Sequence, residues 1–152
     1  MAAEDNKATV TVTAKILPAE IQKILTGTFE VTPADNGDKW YYKLTSVSNS
    51  SGDLIAGTFI DTNLGISQAT AHTSVDTGDK VKFLFIKNIT AGDSIYLRFD
   101  AGAVSSSSTD AVTIGPGEIF TARLPNTTVA DVHAIGSTNG VNCLVAAILD
   151  DV

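Results

Sequence analysis

Four Gly-Asp pairs punctuate the chain, at Gly37-Asp38, Gly52-Asp53, Gly78-Asp79 and Gly92-Asp93, and a short apolar or aromatic run follows each one. The runs are Trp40–Leu44, Leu54–Ile60, Val81–Ile86 and Ile95–Phe99. Glycine reaches backbone angles closed to other residues and aspartate caps the turn, so each pair predicts a reversal followed by a strand. A chain interrupted this often has little room for long helices. The uneven spacing of the pairs argues against a true repeat. Calcium ligation, the other use of such aspartates, would need a D-x-[DN]-x-[DN]-G-x5-E loop, which the sequence lacks.

Periodicity extends the same picture. Thr9–Ile16 alternates strictly, with Val10, Val12, Ala14 and Ile16 on one face, the mark of a half-buried strand. Pro18–Leu25 is the single helix candidate: proline in its first turn, Ile21, Ile24 and Leu25 on one face, and Gly27 to end it. Further strands are expected at Lys80–Asn88, Ser94–Asp100, Val112–Ile114, Glu118–Leu124, Asp131–Ile135 and Val141–Leu149. Gly115-Pro116-Gly117 and Gly136–Gly140 are expected as tight turns, the latter a hairpin turn. The expected fold is mainly β, an antiparallel β-sandwich or jelly-roll-like barrel with one short N-terminal helix. Residues 1–8 are expected as a flexible arm and 9–152 as a single sandwich domain.

Lys80–Asn88 and Val141–Leu149 are apolar on both faces and need cover on both sides, from a central position or from another subunit. Phe83, Phe85, Leu144, Ala146 and Ile148 are therefore the candidate oligomer interface. Trp40, Tyr41 and Tyr42 form the one aromatic cluster and the candidate surface or ligand contact, with core packing as its other use. Alternation sends Trp40 and Tyr42 to one face and Tyr41 to the other.

Composition narrows the function classes. At 152 residues the chain has the size of one ordinary domain and can bury roughly 70% of its unfolded surface without disulfide or metal. Its formal net charge is −7 and its ten basic residues are scattered, which argues against nucleic acid and anionic membrane surfaces as partners. No apolar run approaches the ~18 residues needed to span a bilayer. The N-terminus has no basic and apolar leader, so synthesis in a cytoplasm is expected. Cys143, the only cysteine, lies in an apolar run and is expected as a buried thiol. The sequons at Asn49, Asn88 and Asn126 are expected to be chance matches in Thr/Ser-rich sequence.

No catalytic signature is present. H-E-x-x-H, C-x-x-C, the phosphate loop and G-x-S-x-G are all missing, and Gly136–Gly140 carries threonine where a nucleophilic serine would stand. His72 and His133 have no acids at metal-ligand spacing, and His133 is expected in a structural role. Neither enzyme activity nor a cofactor nor a metal is expected.

The stretch Lys80–Asn88, with its "LFIKN" strand, then Ile95–Gly102, the "I-x-PGE" turn at Ile114–Glu118, Asp131–Ile135 and a terminal apolar strand resembles small β-sandwich structural proteins of tailed bacteriophages. The resemblance covers nearly half the chain. It implies a virion protein assembled in the host cytoplasm. Specifically, it implies a capsid decoration or cement protein, a homotrimer bound to the phage major capsid protein. A carbohydrate- or receptor-binding module of a tail or head fibre is the alternative, with Trp40, Tyr41 and Tyr42 near Asp35, Asn36 and Asp38 as its site.

Overall fold

The computed structural model describes residues 7–34, 38–58 and 74–150. Arm residues before Lys7, Phe59 and Ile60 of the second expected strand, and His72 lie outside them. The chain forms two compact units, Met1–Asp35 and Asn36–Val152. The expected arm, 1–8, ends inside the first strand, because Ala8 already pairs.

In the first unit, β1 (Ala8–Ile16) and β2 (Lys23–Val31) form an antiparallel ribbon in continuous register, from Ala8 opposite Val31 to Ile16 opposite Lys23. The expected helix over Pro18–Leu25 is absent. Only Ala19–Ile21 winds, as a single 3-10 turn, and Lys23 already begins β2. Two helical turns cannot hold themselves in water. Thr26, Thr28, Phe29 and Val31 favour a pleated surface, and β1 offers nine backbone partners to the segment. Strand pairing therefore wins over the local helical pattern. Leu17, at φ 76°, carries the reversal together with Pro18.

The second unit holds β3 (Asp38–Val47), β4 (Gly52–Asp53), β5 (Lys80–Asn88), β6 (Ile95–Arg98), β7 (Val112–Ile114), β8 (Ile119–Thr128), β9 (His133–Gly136) and β10 (Val141–Asp150). They make two four-stranded antiparallel sheets, ordered β3-β10-β5-β8 and β4-β9-β6-β7. Four of the pairs nest: β3 with β10, β4 with β9, β5 with β8 and β6 with β7. The chain runs out and returns alongside itself, as a long hairpin whose tip lies between β6 and β7. The pairs β10 with β5 and β9 with β6 then join its parts into sheets.

One expected turn and one expected strand change in this arrangement. β9 and β10 lie in different sheets, so Gly136–Gly140 is not a hairpin turn but a crossing between sheets. Gly136 is required there: a Cβ would stand 2.6 Å from the Thr138 carbonyl oxygen and 2.7 Å from Val141. The strand expected from Leu54 is also absent over its described part. Leu54 and Ile55 are buried in bends after the two-residue β4, and Thr58 makes an isolated bridge with Ser74. Their apolar character serves burial, and burial alone does not require a strand.

Inward residues of both sheets form one core. Tyr41, Val81, Leu84, Ile86, Val145, Ala147 and Leu149 come from the first sheet and Ile95, Leu97, Ile114 and Ala134 from the second. Cys143 is in this core with its thiol pushed up to about 12 by burial, so it stays a neutral, unreactive hydrophobe. Asn88, like Asp38 and Asp79, is a buried polar residue. Its Nδ2 donates to the carbonyls of Asp93 (2.7 Å), Ile114 (3.3 Å) and Gly115 (3.1 Å), and its Oδ1 accepts from the Thr90 N–H (3.0 Å). One amide thereby ties the turn after β5 to the turn after β7. Asn88→Ala strands these partners and is expected to cost about 2–4 kcal/mol. Urea unfolding should show this as a lower midpoint at unchanged slope.

Candidate functional site

The outer face of the β3-β10-β5-β8 sheet is where the sequence-derived candidates meet. Registers across the four strands align three rows. Trp40, Ile148, Phe83 and Arg123 form the first, and Tyr42, Ala146, Phe85 and Thr121 the second. Leu44, Leu144, Lys87 and Ile119 form the third. All five candidate interface residues therefore share a face with two of the three candidate aromatics. Period two alone could not reveal this, because it assigns faces within a strand and not between strands.

Exposure divides the set. Phe83 and Ile148 are already buried in the single chain, at 3% and 0%. Phe85, Leu144, Ala146, Trp40 and Tyr42 are half-buried. Leu44 and Ile119, which the sequence reading passes over, stand 47% and 55% exposed at opposite ends of the third row. Tyr41 is corrected: it points inward, is 1% exposed, and its hydroxyl lies 3.4 Å from both the amide nitrogen and the carbonyl oxygen of Ala56. It is a core residue and offers nothing to a ligand on this face. Lys43 follows it to the same side, its Nζ 2.9 Å from the Ala56 carbonyl and 5.6 Å from the Tyr41 ring centre.

A charged clasp closes one end of the face. The Lys82 ammonium donates to Asp38 Oδ1 at 2.7 Å and reaches Asp150 Oδ2 at 3.2 Å, joining β5 to β3 and β10. Asp38 is buried, so an aspartate that the sequence assigns to turn chemistry is an ion-pair partner. The hydrogen bond to Asp38, above all, holds Lys82 protonated beyond the usual lysine range.

The outer face of the β4-β9-β6-β7 sheet carries a polar group without a sequence signature. Arg98 Nη2 donates to Asp100 (2.5 Å) and Asp110 (2.6 Å), while its Nη1 donates to the Ala103 carbonyl (2.9 Å). In the neighbouring strand His133 contacts the Gly102 carbonyl through Nδ1 (3.0 Å) and Asp53 through Nε2 (3.1 Å). These contacts tie down the loop after β6. Asp131, next to His133, accepts from both the amide and the hydroxyl of Thr128 at 2.8 Å, and these bonds, the backbone one first, hold its carboxyl below the usual range. The Thr128-Val-Ala-Asp131 spacing is a capping box that could have been found in the sequence. Asp110 could not, since only the folded loop brings it to Arg98.

Among the described residues no three His, Cys, Asp or Glu side chains cluster to hold a metal ion, and no helix is long and apolar enough to cross a membrane. A cleft of about 120 Å³ lined by Ser46, Ser48, Ser50, Asp53 and Leu54 falls well below the roughly 300 Å³ of small-molecule sites. No family model, curated protein or solved structure matches this chain.

The clasp yields a pH test. Lys82→Met leaves the Asp38 carboxylate without its ammonium and is expected to cost about 2 kcal/mol at neutral pH. Because the folded-state pKa of Lys82 lies above 10.5, the clasp contributes fully below that pH and is lost as pH climbs through the folded value. Denaturation of both proteins across alkaline pH should therefore show the stability difference constant to about pH 10 and shrinking above it.

Proposed function

We propose that the chain is a virion structural protein of a tailed phage, a capsid decoration protein that binds the head surface and stabilises it. The observation that carries this reading is the apolar outer face of the β3-β10-β5-β8 sheet. Trp40, Tyr42, Leu44, Phe85, Leu144 and Ile119 remain partly open to water there. One contiguous apolar face on a strongly acidic protein favours a protein interface. We read the two sheets as a jelly-roll sandwich, since the nested pairing places eight strands in two sheets as that architecture does. Viral capsid domains are among its recurrent uses. The assembly would be a small cyclic oligomer, a trimer, seated where subunits of the major capsid protein meet. It would be built in the host cytoplasm, where a lone buried thiol is at home.

Glycan or receptor recognition by a tail or head fibre is the second reading. It is favoured by Trp40 and Tyr42, which lie on the edge strand β3 facing the same side. Asp38 is less available to it than the sequence suggests, being committed to Lys82.

Two outcomes separate the readings. Phage heads stripped of the protein should lose integrity at lower temperature than decorated heads, and Leu144→Glu protein should fail to restore them. Equal heat resistance of stripped and decorated heads would exclude the stabilising role. Under the second reading Trp40→Ala abolishes retention on a glycan array, whereas wild-type protein retained by no glycan removes that reading.

A further inference from the structure

β8 is the outermost strand of its sheet and pairs only with β5. One contact phases its backbone bonds. The Asn88 N–H donates to the Glu118 carbonyl at 3.0 Å, so these two residues face each other as a hydrogen-bonded pair. Such pairs alternate along an antiparallel ladder. Phe120 and Ala122 therefore bond to β5, while Ile119, Thr121 and Arg123 turn their N–H and C=O groups to the open edge. Among the described residues nothing pairs with them there. Beyond Arg123 the register with β5 shifts, and Pro125, which has no N–H, ends the usable edge. The outer strands of the other sheet, β4 and β7, are two and three residues long and make a poorer template.

The same two strands carry charge of one sign. β5 and β8 hold Lys80, Lys82, Lys87 and Arg123 and no carboxylate, in a chain whose net charge is −7. Arg123 lies far from the lysines in sequence and joins them only through the β5–β8 pairing. Lys82 is held by Asp38 and Asp150. Among the described residues no ion pair involves Lys80, Lys87 or Arg123. Lys87 and Arg123 are exposed, and both lie on the outer face of the sheet.

We propose that the β8 edge is a docking site for an extended acidic segment of another protein, which adds to the sheet as a fifth strand. Backbone bonds to Ile119, Thr121 and Arg123 hold the segment in register. Its side chains alternate. Acidic ones lie on the outer side, against Arg123 and toward Lys87, and apolar ones lie on the inner side, against the half-buried Phe120. The unpaired cations supply the field that draws a negative segment to this edge. Charge also argues against a second copy as the occupant. Two β8 strands laid side by side bring the same cations of two chains together, with no carboxylate on β5 or β8 to offset them. The inference rests on this edge and does not depend on the virion role.

The test uses the full chain, isotope-labelled, and two short peptides with blocked ends, one alternating valine with glutamate and the other valine with lysine. Hydrogen exchange read by NMR separates the edge from the ladder. In the free chain the amides of Ile119, Thr121 and Arg123 should exchange faster than those of Phe120 and Ala122. The glutamate peptide should slow the first three by about tenfold or more, and the lysine peptide should leave them unchanged. Arg123→Glu, at an exposed position, should keep the Tm and bind the glutamate peptide about tenfold more weakly, since like charges then face each other across the strands. No slowing by the glutamate peptide, equal slowing by both peptides, or undiminished affinity in Arg123→Glu would each overturn the proposal. So would slow exchange of the three amides in a free chain whose solution mass is twice 15.8 kDa, which puts a second copy at the edge. A single-stranded oligonucleotide that displaces the glutamate peptide without slowing those amides would overturn it too, by making the strip a general polyanion site.

Discussion

β10 has to be covered on both sides and along both edges, and most of the larger unit is arranged around that requirement. Val141, Cys143, Val145, Ala147 and Leu149 fill the core, while Leu144, Ala146 and Ile148 form the middle of the outer face. Such a strand placed at an edge would leave a row of backbone groups and an apolar surface open to other chains. Between β3 and β5 its ladder is paired along both edges. The polar clasp of Lys82 with Asp38 and Asp150 then stands at the end of the same three strands, on the face that the core does not occupy.

The turns that let the chain change sheets are secured by specific polar contacts. Asn88 serves two of them at once, its amide lying among three carbonyls in the interior. In that setting a buried amide with its partners met specifies one arrangement of the turns, where an apolar residue would accept several. Gly115 and Glu118 close the turn between β7 and β8 with a 2.7 Å bond from amide to carboxylate. On the second sheet, Arg98 with Asp100 and Asp110, and His133 with the Gly102 carbonyl, do the same for the loop after β6.

The outer face of the β3-β10-β5-β8 sheet was only half legible. Phe85, Leu144 and Ala146 could be named because two apolar faces on one strand are visible in the order of residues. Leu44 and Ile119 could not. Alternation within its own strand shows which face each shares, but only the alignment of β3 and β8 with the strands between them makes one surface of them. Tyr41 follows the core-packing alternative for the aromatic cluster: alternation sets it opposite Trp40 and Tyr42, and its side chain is in the core.

What the sequence determined by itself is the set of strands: alternation and turn chemistry are local, and β3, β5, β6, β7, β8 and β10 fall where those signals lie. The buried thiol was legible for the same reason. Tertiary structure decided three other things. It converted Lys23–Leu25 from helix to strand, because nine cross-strand partners outweigh two turns of helical pattern. It chose the nested order of the sheets, since pairing between residues far apart leaves no trace in either segment alone. And it chose which apolar residues gather into one face, because a surface belongs to neighbouring strands, and the neighbours exist only once the chain has folded.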